Sequence, residues 1–329
     1  MDTPSFTANG LGRDTQVTHR QSLWVRGSAV LWCYRALGHQ RELPIFIVYS
    51  FVNRPSLLDI SPQRSLIRAL IEQGRDVYLL DWGVPTQHDS QRHLAEYVVG
   101  YLDDAISAAL ADAGLKRIDL LGVCQGGTLV LCYAALHPRR IRRLVLMVTP
   151  VDFATDSDRL ARYAVAMDLS KMRAGGGNVS GRWLKLGFQA LKPFGSRLNG
   201  LLAMQDARND DSLLEHHRCT ARWVADSPDQ PGLAFEEFIT LFYKENRLAA
   251  GSLVMDGRAV DLAQLRMPVL NIYALQDHLI PIESSMALGS LVSSHLYQSM
   301  EVNTGHMGVF TARQAHLTVP ARIQLFLSS

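Results

Sequence analysis

The chain has 329 residues, 47% of them hydrophobic and 19% charged, which describes a globular protein with a substantial core and excludes a disordered chain. That length suits one large α/β domain with an insertion, or two small domains. Its 33 basic and 31 acidic residues leave a formal charge of +2, so charge gives no case for nucleic acid as the main partner.

Residues 1–20 are polar and Thr-rich, and they read as a flexible N-terminal arm without the apolar segment of a secretory signal. The apolar runs, Pro44–Val52 among them, fall far short of the roughly 20 residues that span a bilayer. Cys33, Cys124, Cys132 and Cys219 are scattered without C-x-x-C pairing. That spacing argues against a disulfide framework or a zinc site, and a cytoplasmic location is expected.

From Pro44, PIFIVYSFV is a continuous β-branched run that suits a strand buried on both faces. Ser61-Pro62 offers an N-cap and first-turn proline for a helix carrying Leu66, Ile67, Leu70 and Ile71 and ended by Gly74. Asp76–Trp82 reads as a strand, Glu96–Ala113 as a long helix, Arg117–Val123 as a strand, Gly126–Leu136 as a helix and Arg143–Val148 as a strand. This alternation implies a doubly wound, mostly parallel sheet with helices on both faces. After Pro150 the rhythm breaks. Residues 151–265, with the AGGGN stretch at Ala174–Asn178, read as a helical cap inserted between core segments 21–150 and 266–329. Strand patterns resume at Pro268–Ala274 and His295–Val302, and a last amphipathic helix is expected from Thr311 to Leu327. Ligands of such folds bind beyond the carboxyl ends of the strands, where the cap is expected to lie.

The most specific motif is LLGVCQGGTLV at Leu120–Val130. An apolar strand, a Gly-x-nucleophile-x-Gly turn and a small-residue helix coincide there, as in the nucleophile elbow of the α/β-hydrolase fold. The central residue is Cys124, where hydrolases of this type carry serine. The bland alternative makes it a packing cysteine, the role expected of Cys33, Cys132 and Cys219. A nucleophile needs a base, and the base an orienting acid, in the chain order nucleophile, acid, histidine. Asp277 closes the strand NIYALQD, and His306 stands in NTGHMG after the last strand. His278 is a rival base, but adjacent residues at a strand end point to opposite sides, which favours His306. The backbone N–H of Gln125 is the expected oxyanion donor, together with that of Val52 or Asn53 in the loop Ser50–Arg54; that loop also reads as a plain turn.

Assembled, these segments resemble the catalytic subunit of a polyhydroxyalkanoate synthase. The resemblance rests on VNRPSLLDI (Val52–Ile60), LLDWG (Leu79–Gly83), LLGVCQGGTLVLCYAALHP (Leu120–Pro138) and VTPVDF (Val148–Phe153). It continues through WVADSPDQPG (Trp223–Gly232), PVLNIYALQDHLIP (Pro268–Pro281) and GHMG (Gly305–Gly308). Short chains of this kind resemble the class III, and next the class IV, synthases. The resemblance implies an α/β-hydrolase fold and a cytoplasmic enzyme at the surface of polymer granules. It implies polymerisation of (R)-3-hydroxyacyl-CoA, 3-hydroxybutyryl-CoA above all, with a second non-catalytic subunit and a homo-dimeric or hetero-oligomeric assembly. No metal or cofactor is implied, CoA being part of the substrate. On the matching motifs Cys124 would carry the acyl group, His306 would activate it, and Asp277 would serve the incoming hydroxyl directly or through His306. Thr304 departs from the family, many members having glycine there, and the weakly patterned insertion leaves the substrate contacts unplaced. Two other readings stand beside this one: a cysteine-nucleophile hydrolase (thioesterase or polymer depolymerase), and a scaffold whose elbow is a relic.

Overall fold

Strands rich in Val, Ile and Leu cannot leave either face in water, and here both faces are covered. The computed structural model describes residues 18–37, 42–173, 177–191 and 211–329. Its main sheet is built from β1 (Gln21–Arg26), β2 (Ala29–Tyr34), β3 (Glu42–Val48), β4 (Arg75–Asp81), β5 (Ile118–Val123), β6 (Ile141–Met147), β7 (Val269–Ala274) and β8 (Tyr297–Val302). These eight strands lie in the order β1-β2-β4-β3-β5-β6-β7-β8. β2 runs antiparallel to both its neighbours, and every pairing from β4 through β8 is parallel.

Alternation along the central strands divides the core in two. Phe46, Val48, Leu120, Leu144 and Leu146 pack on one face, while Ile45, Ile47, Leu121, Val145 and Met147 pack on the other. Helices α1 (Leu66–Glu72), α2 (Leu102–Ala113), α3 (Gln125–Leu136) and α8 (Arg313–Ser328) cover the two faces. Between β6 and β7 the described residues include α4 (Arg159–Ala166), α5 (Gly181–Leu191), α6 (Asp211–Ala225) and α7 (Gly232–Phe238), which runs on into a π-helical turn at Ile239–Lys244. Two-residue strands at Val254–Met255 and Arg258–Ala259 pair only with each other. No helix among the described residues is long and apolar enough to cross a membrane.

Several local expectations are corrected. The cap of α1 is Ser65, whose side chain accepts the Arg68 N–H, because Ser61 and Pro62 belong to a small hairpin formed by Asp59–Ser61 and Arg64–Ser65. The early strand ends at Val48, and Tyr49–Asn53 leave the sheet to line a pocket. The β1–β2 hairpin adds two strands for which the sequence reading had no expectation. The long helix at Glu96 opens with π-helical geometry before becoming α2. A separate turn at Gly308–Thr311 precedes α8. Residues 1–17 of the arm and Ala174–Gly176 lie outside the described residues.

At the amino end of the sheet, a buried polar network ties α8 to the strands. Arg75, fully buried, donates to the Leu43 carbonyl at 2.7 Å, to Gln324 at 2.6 Å and to Ser328 at 2.9 Å. Arg142 pairs with the buried Asp119 and donates to the Leu327 carbonyl at 2.9 Å. Burial pushes the Asp119 carboxyl up against the pull of Arg142, and it pushes the Arg75 guanidinium down. Arg75→Met leaves buried acceptors without their donor, and we expect a loss of about 2–3 kcal/mol. Urea denaturation checks this; a loss below about 0.5 kcal/mol, the level of a neutral surface change, would show the network to be dispensable.

Candidate active site

β5 ends in Val123, and the chain turns at once into α3. Cys124 occupies that turn with φ of 52° and ψ of −126°, a conformation that costs a non-glycine residue about 1–3 kcal/mol and persists only where its surroundings impose it. The surroundings are the glycines. A Cβ on Gly122 would lie 2.4 Å from the Gly127 Cα, and one on Gly126 would lie 2.5 Å from the Val48 carbonyl oxygen. The Cys124 N–H donates to the Met147 carbonyl at 2.9 Å, which anchors the turn to β6.

Cys124 is half-buried, whereas Cys33 and Cys132 are buried in the core. Burial pushes the Cys33 thiol up to about 11 and the Cys132 thiol higher still, so both stay protonated. Cys219 is half-buried on α6.

The structure brings the three expected side chains together, although they come from three separate loops. The Asp277 carboxylate is pinned after β7 by the N–H groups of Leu279 and Ile280, at 2.8 and 3.0 Å from Oδ1. Its Oδ2 accepts from His306 Nδ1 at 2.7 Å, and Cys124 lines the same cavity as that imidazole and lies within its electrostatic reach. With Nδ1–H committed to the carboxylate, Nε2 is the imidazole's remaining proton acceptor. His306 lines the pocket over Cys124, and His278 does not.

Burial opposes charge on both partners, but their mutual attraction prevails. Burial alone would lower His306, yet the Asp277 charge and hydrogen bond, then Cys124, hold it well above the usual histidine range. Burial alone would raise Asp277, yet His306 and the two backbone N–H groups hold it below the usual carboxylate range. The raised histidine adds stability in full below about pH 6.5, and this is lost as pH rises through its folded value. The lowered carboxylate adds stability above about pH 4, and this is lost as pH falls through its folded value.

A cavity of about 160 Å³ opens above Cys124. Its wall is largely apolar, with Leu57, Leu160, Ala164, Met167, Phe235 and Phe238 contributing from the core and from the 151–265 segment. Val52, Asn53 and Gln125 also line it. Phe51 donates its N–H to Gln125 Oε1 at 3.0 Å, so that amide faces a side chain, not the cavity. Asn53 has φ of 59° and accepts from Ser227 at 2.6 Å, while Trp223 Nε1 donates to the Arg54 carbonyl at 2.7 Å. These bonds tether the loop after β3 to the inserted segment. Two lining residues that sequence reasoning missed are Tyr49 and Tyr243. Each sits in an apolar run with the look of ordinary core, and the sequence carries no signal that sets them apart.

Because Asp277 holds the His306 proton against burial, Asp277→Asn should drop the His306 pKa from well above the ordinary value to below it. An NMR titration of the ring in both proteins measures this. A His306 pKa unmoved by the substitution would mean that the carboxylate does not govern the imidazole.

Comparison with known proteins agrees with this architecture. A family model described as the alpha/beta hydrolase fold matches residues 49–312. Among solved structures, a serine hydrolase from Cycloclasticus superposes with a TM-score of 0.58 at 15% identity, over 94% of this chain and 98% of that one. The monoacylglycerol lipase of Paleococcus ferrophilus superposes with a TM-score of 0.57 at 16% identity, over 91% of this chain and 98% of the other. Among curated relatives, the poly(3-hydroxyalkanoate) polymerase subunit PhaC of Allochromatium vinosum is 38% identical over 96% of this chain and 90% of its own length. Those of Thiocystis violacea and Synechocystis are each 36% identical over 96% of this chain, and over 89% and 86% of their own lengths. With an α/β-hydrolase fold and relatives this similar along nearly its whole length, the chain belongs to the PhaC family of poly(3-hydroxyalkanoate) polymerases, the enzymes of polyhydroxyalkanoate synthesis.

Proposed function

We propose that this chain polymerises (R)-3-hydroxyacyl-CoA, with 3-hydroxybutyryl-CoA as the reference substrate, through a thioester on Cys124. The observation that carries the proposal is a thiol, in place of a hydroxyl, on the elbow of a hydrolase fold and in the same cavity as an imidazole held by a carboxylate.

His306 Nε2 holds the proton of the Cys124 sulfur as that sulfur attacks the thioester carbonyl. The C–S bond to CoA breaks, and CoA leaves with the proton returned by His306. One thioester has replaced another, so the acyl group stays activated at little cost in free energy. In the second half a chain-end hydroxyl gives its proton to His306, attacks the Cys124 thioester and forms an ester, and the thiol is restored. Serine at this position would form an oxygen ester in the first half and forfeit the driving force of the second. Asp277 orients His306 and stabilises its charged form throughout. The Gln125 N–H, with that of Val52 or Asn53, would stabilise the oxyanion of each tetrahedral intermediate.

The cavity's apolar wall supports polymerisation over hydrolysis, since water must be kept from the acyl-enzyme while a hydroxyl-ended chain is admitted. In this reading residues 151–265 are the cover. The relatives' designation as a polymerase subunit supports action with a second, non-catalytic subunit, and granule-surface assembly follows from the product.

Purified protein with (R)-3-hydroxybutyryl-CoA, with and without a candidate second subunit, should release CoA and yield high-mass polyester; CoA release with only free hydroxy acid would instead mark a hydrolase. Cys124→Ala should cut CoA release by at least about a thousandfold. Cys124→Ser should lower polymer output by about a hundredfold or more, since the oxygen ester removes the activated intermediate. Near-normal polymer from the serine variant would sink the thioester mechanism.

A further inference from the structure

Tyr49 and Tyr243 enter the cavity from opposite sides. Tyr49 belongs to the core on one face of the sheet and follows β3, while Tyr243 belongs to the core on the other face and lies in the π-helical turn after α7. Both are at least nine-tenths buried, both line the cavity over Cys124, and both lie within electrostatic reach of its sulfur.

Neither phenol hydroxyl makes a hydrogen bond to a described residue. Several other polar groups in the same wall are already engaged, and Lys185 and Gln230 line it as well. Ser50 donates to the Val52 carbonyl at 2.7 Å, Ser227 to Asn53 at 2.6 Å, and Gln125 Oε1 accepts from Phe51. Asp158, the buried acceptor near Tyr243, caps α4 through Oδ1, and its Oδ2 is bonded to no described residue, Tyr243 included. Burial first, then neighbouring anions, hold both phenols well above their usual range, so each remains an O–H donor at neutral pH. Largely apolar ligand sites place their few polar groups where the ligand's polar groups will be.

We infer that the hydroxyls of Tyr49 and Tyr243 are the specificity determinant for hydroxylated acyl chains, gripping the 3-hydroxyl of the acyl group seated over Cys124. This rests on the thioester reading above. A 3-hydroxyacyl thioester brings two polar groups into the cavity. Its carbonyl oxygen would be served by backbone N–H groups at the start of α3, which leaves the 3-hydroxyl to be satisfied in a largely apolar wall. A phenol both donates and accepts, as that hydroxyl requires.

The test compares stoichiometric CoA release from (R)-3-hydroxybutyryl-CoA and from butyryl-CoA in the parent chain, Tyr49→Phe, Tyr243→Phe and the double variant. Loss of one hydrogen bond should lower the preference for the hydroxylated thioester by about fivefold in each single variant, and further in the double variant, with butyryl transfer unchanged. Melting temperatures should stay level, because no hydrogen bond to a described residue is lost. Equal losses on both thioesters would assign the phenols to the carbonyl and overturn the inference, as would an unchanged preference in the double variant. Calorimetric binding of the same two thioesters to Cys124→Ala protein, with and without the tyrosine substitutions, isolates the hydroxyl contact from the chemistry. If the parent releases no CoA yet the binding preference still falls with the phenols, the thioester mechanism fails and the hydroxyl grip stands. A binding preference indifferent to the phenols overturns the grip alone.

Discussion

The close approach of α3 to β3 and β5 is the constraint on which the rest of this site depends. Glycine at 122, 126 and 127 lets backbone pass backbone with no room for a methyl group, and that proximity drives Cys124 to a positive φ. The strain has a use. It lifts the thiol off the end of the sheet and points the start of α3, with its unsatisfied N–H groups, at the place where charge would develop on a carbonyl oxygen. The carboxylate and imidazole need no such strain. They stand on loops after β7 and β8, and parallel pairing in register sets those strand ends side by side.

Around this centre the molecule separates durability from chemistry. The amino ends of the strands are closed by Arg75, Asp119 and Arg142, whose buried charges hold the last helix down. The carboxyl ends are left to loops and to the inserted helices, which share the core through Ala161, Ala164, Phe235 and Phe238 and add hydrogen bonds such as Trp223 to Arg54 and Ser227 to Asn53. Within that inserted segment, Phe153 meets Phe238 and Tyr243 edge to face, with the Phe153 and Tyr243 ring centroids 4.7 Å apart, and Phe242 packs tilted against Phe238. That packing fixes the ring of Tyr243, which also lines the cavity.

The same fold serves hydrolases, so the outcome of the reaction is decided by local chemistry, not by architecture. In the proposed reaction, sulfur at position 124 would keep an acyl group at thioester energy, and the two phenols would favour a hydroxylated chain. His306 and Asp277, each shifted by the other, supply the proton traffic that either chemistry would need.

The sequence by itself determined the features written in contiguous residues. The elbow was legible because strand, turn and helix follow one another within Leu120–Val130. The central strands were legible because burial on both faces leaves unbroken apolar runs. Asp277 and His306 were legible through their order after Cys124 and through their loops. Tertiary structure decided the rest. Ser65 displaced Ser61 as helix cap because Asp59–Ser61 and Arg64–Ser65 fold back on each other, and β1 and β2 became strands by pairing along the edge at β4. Above all, only the fold could show that Tyr49 and Tyr243, far apart in the chain and each an ordinary apolar-run aromatic, converge on one thiol. An aromatic in an apolar run announces that it will be buried; which way its hydroxyl faces, and what it meets there, follows from how the two halves of the core close around the sheet.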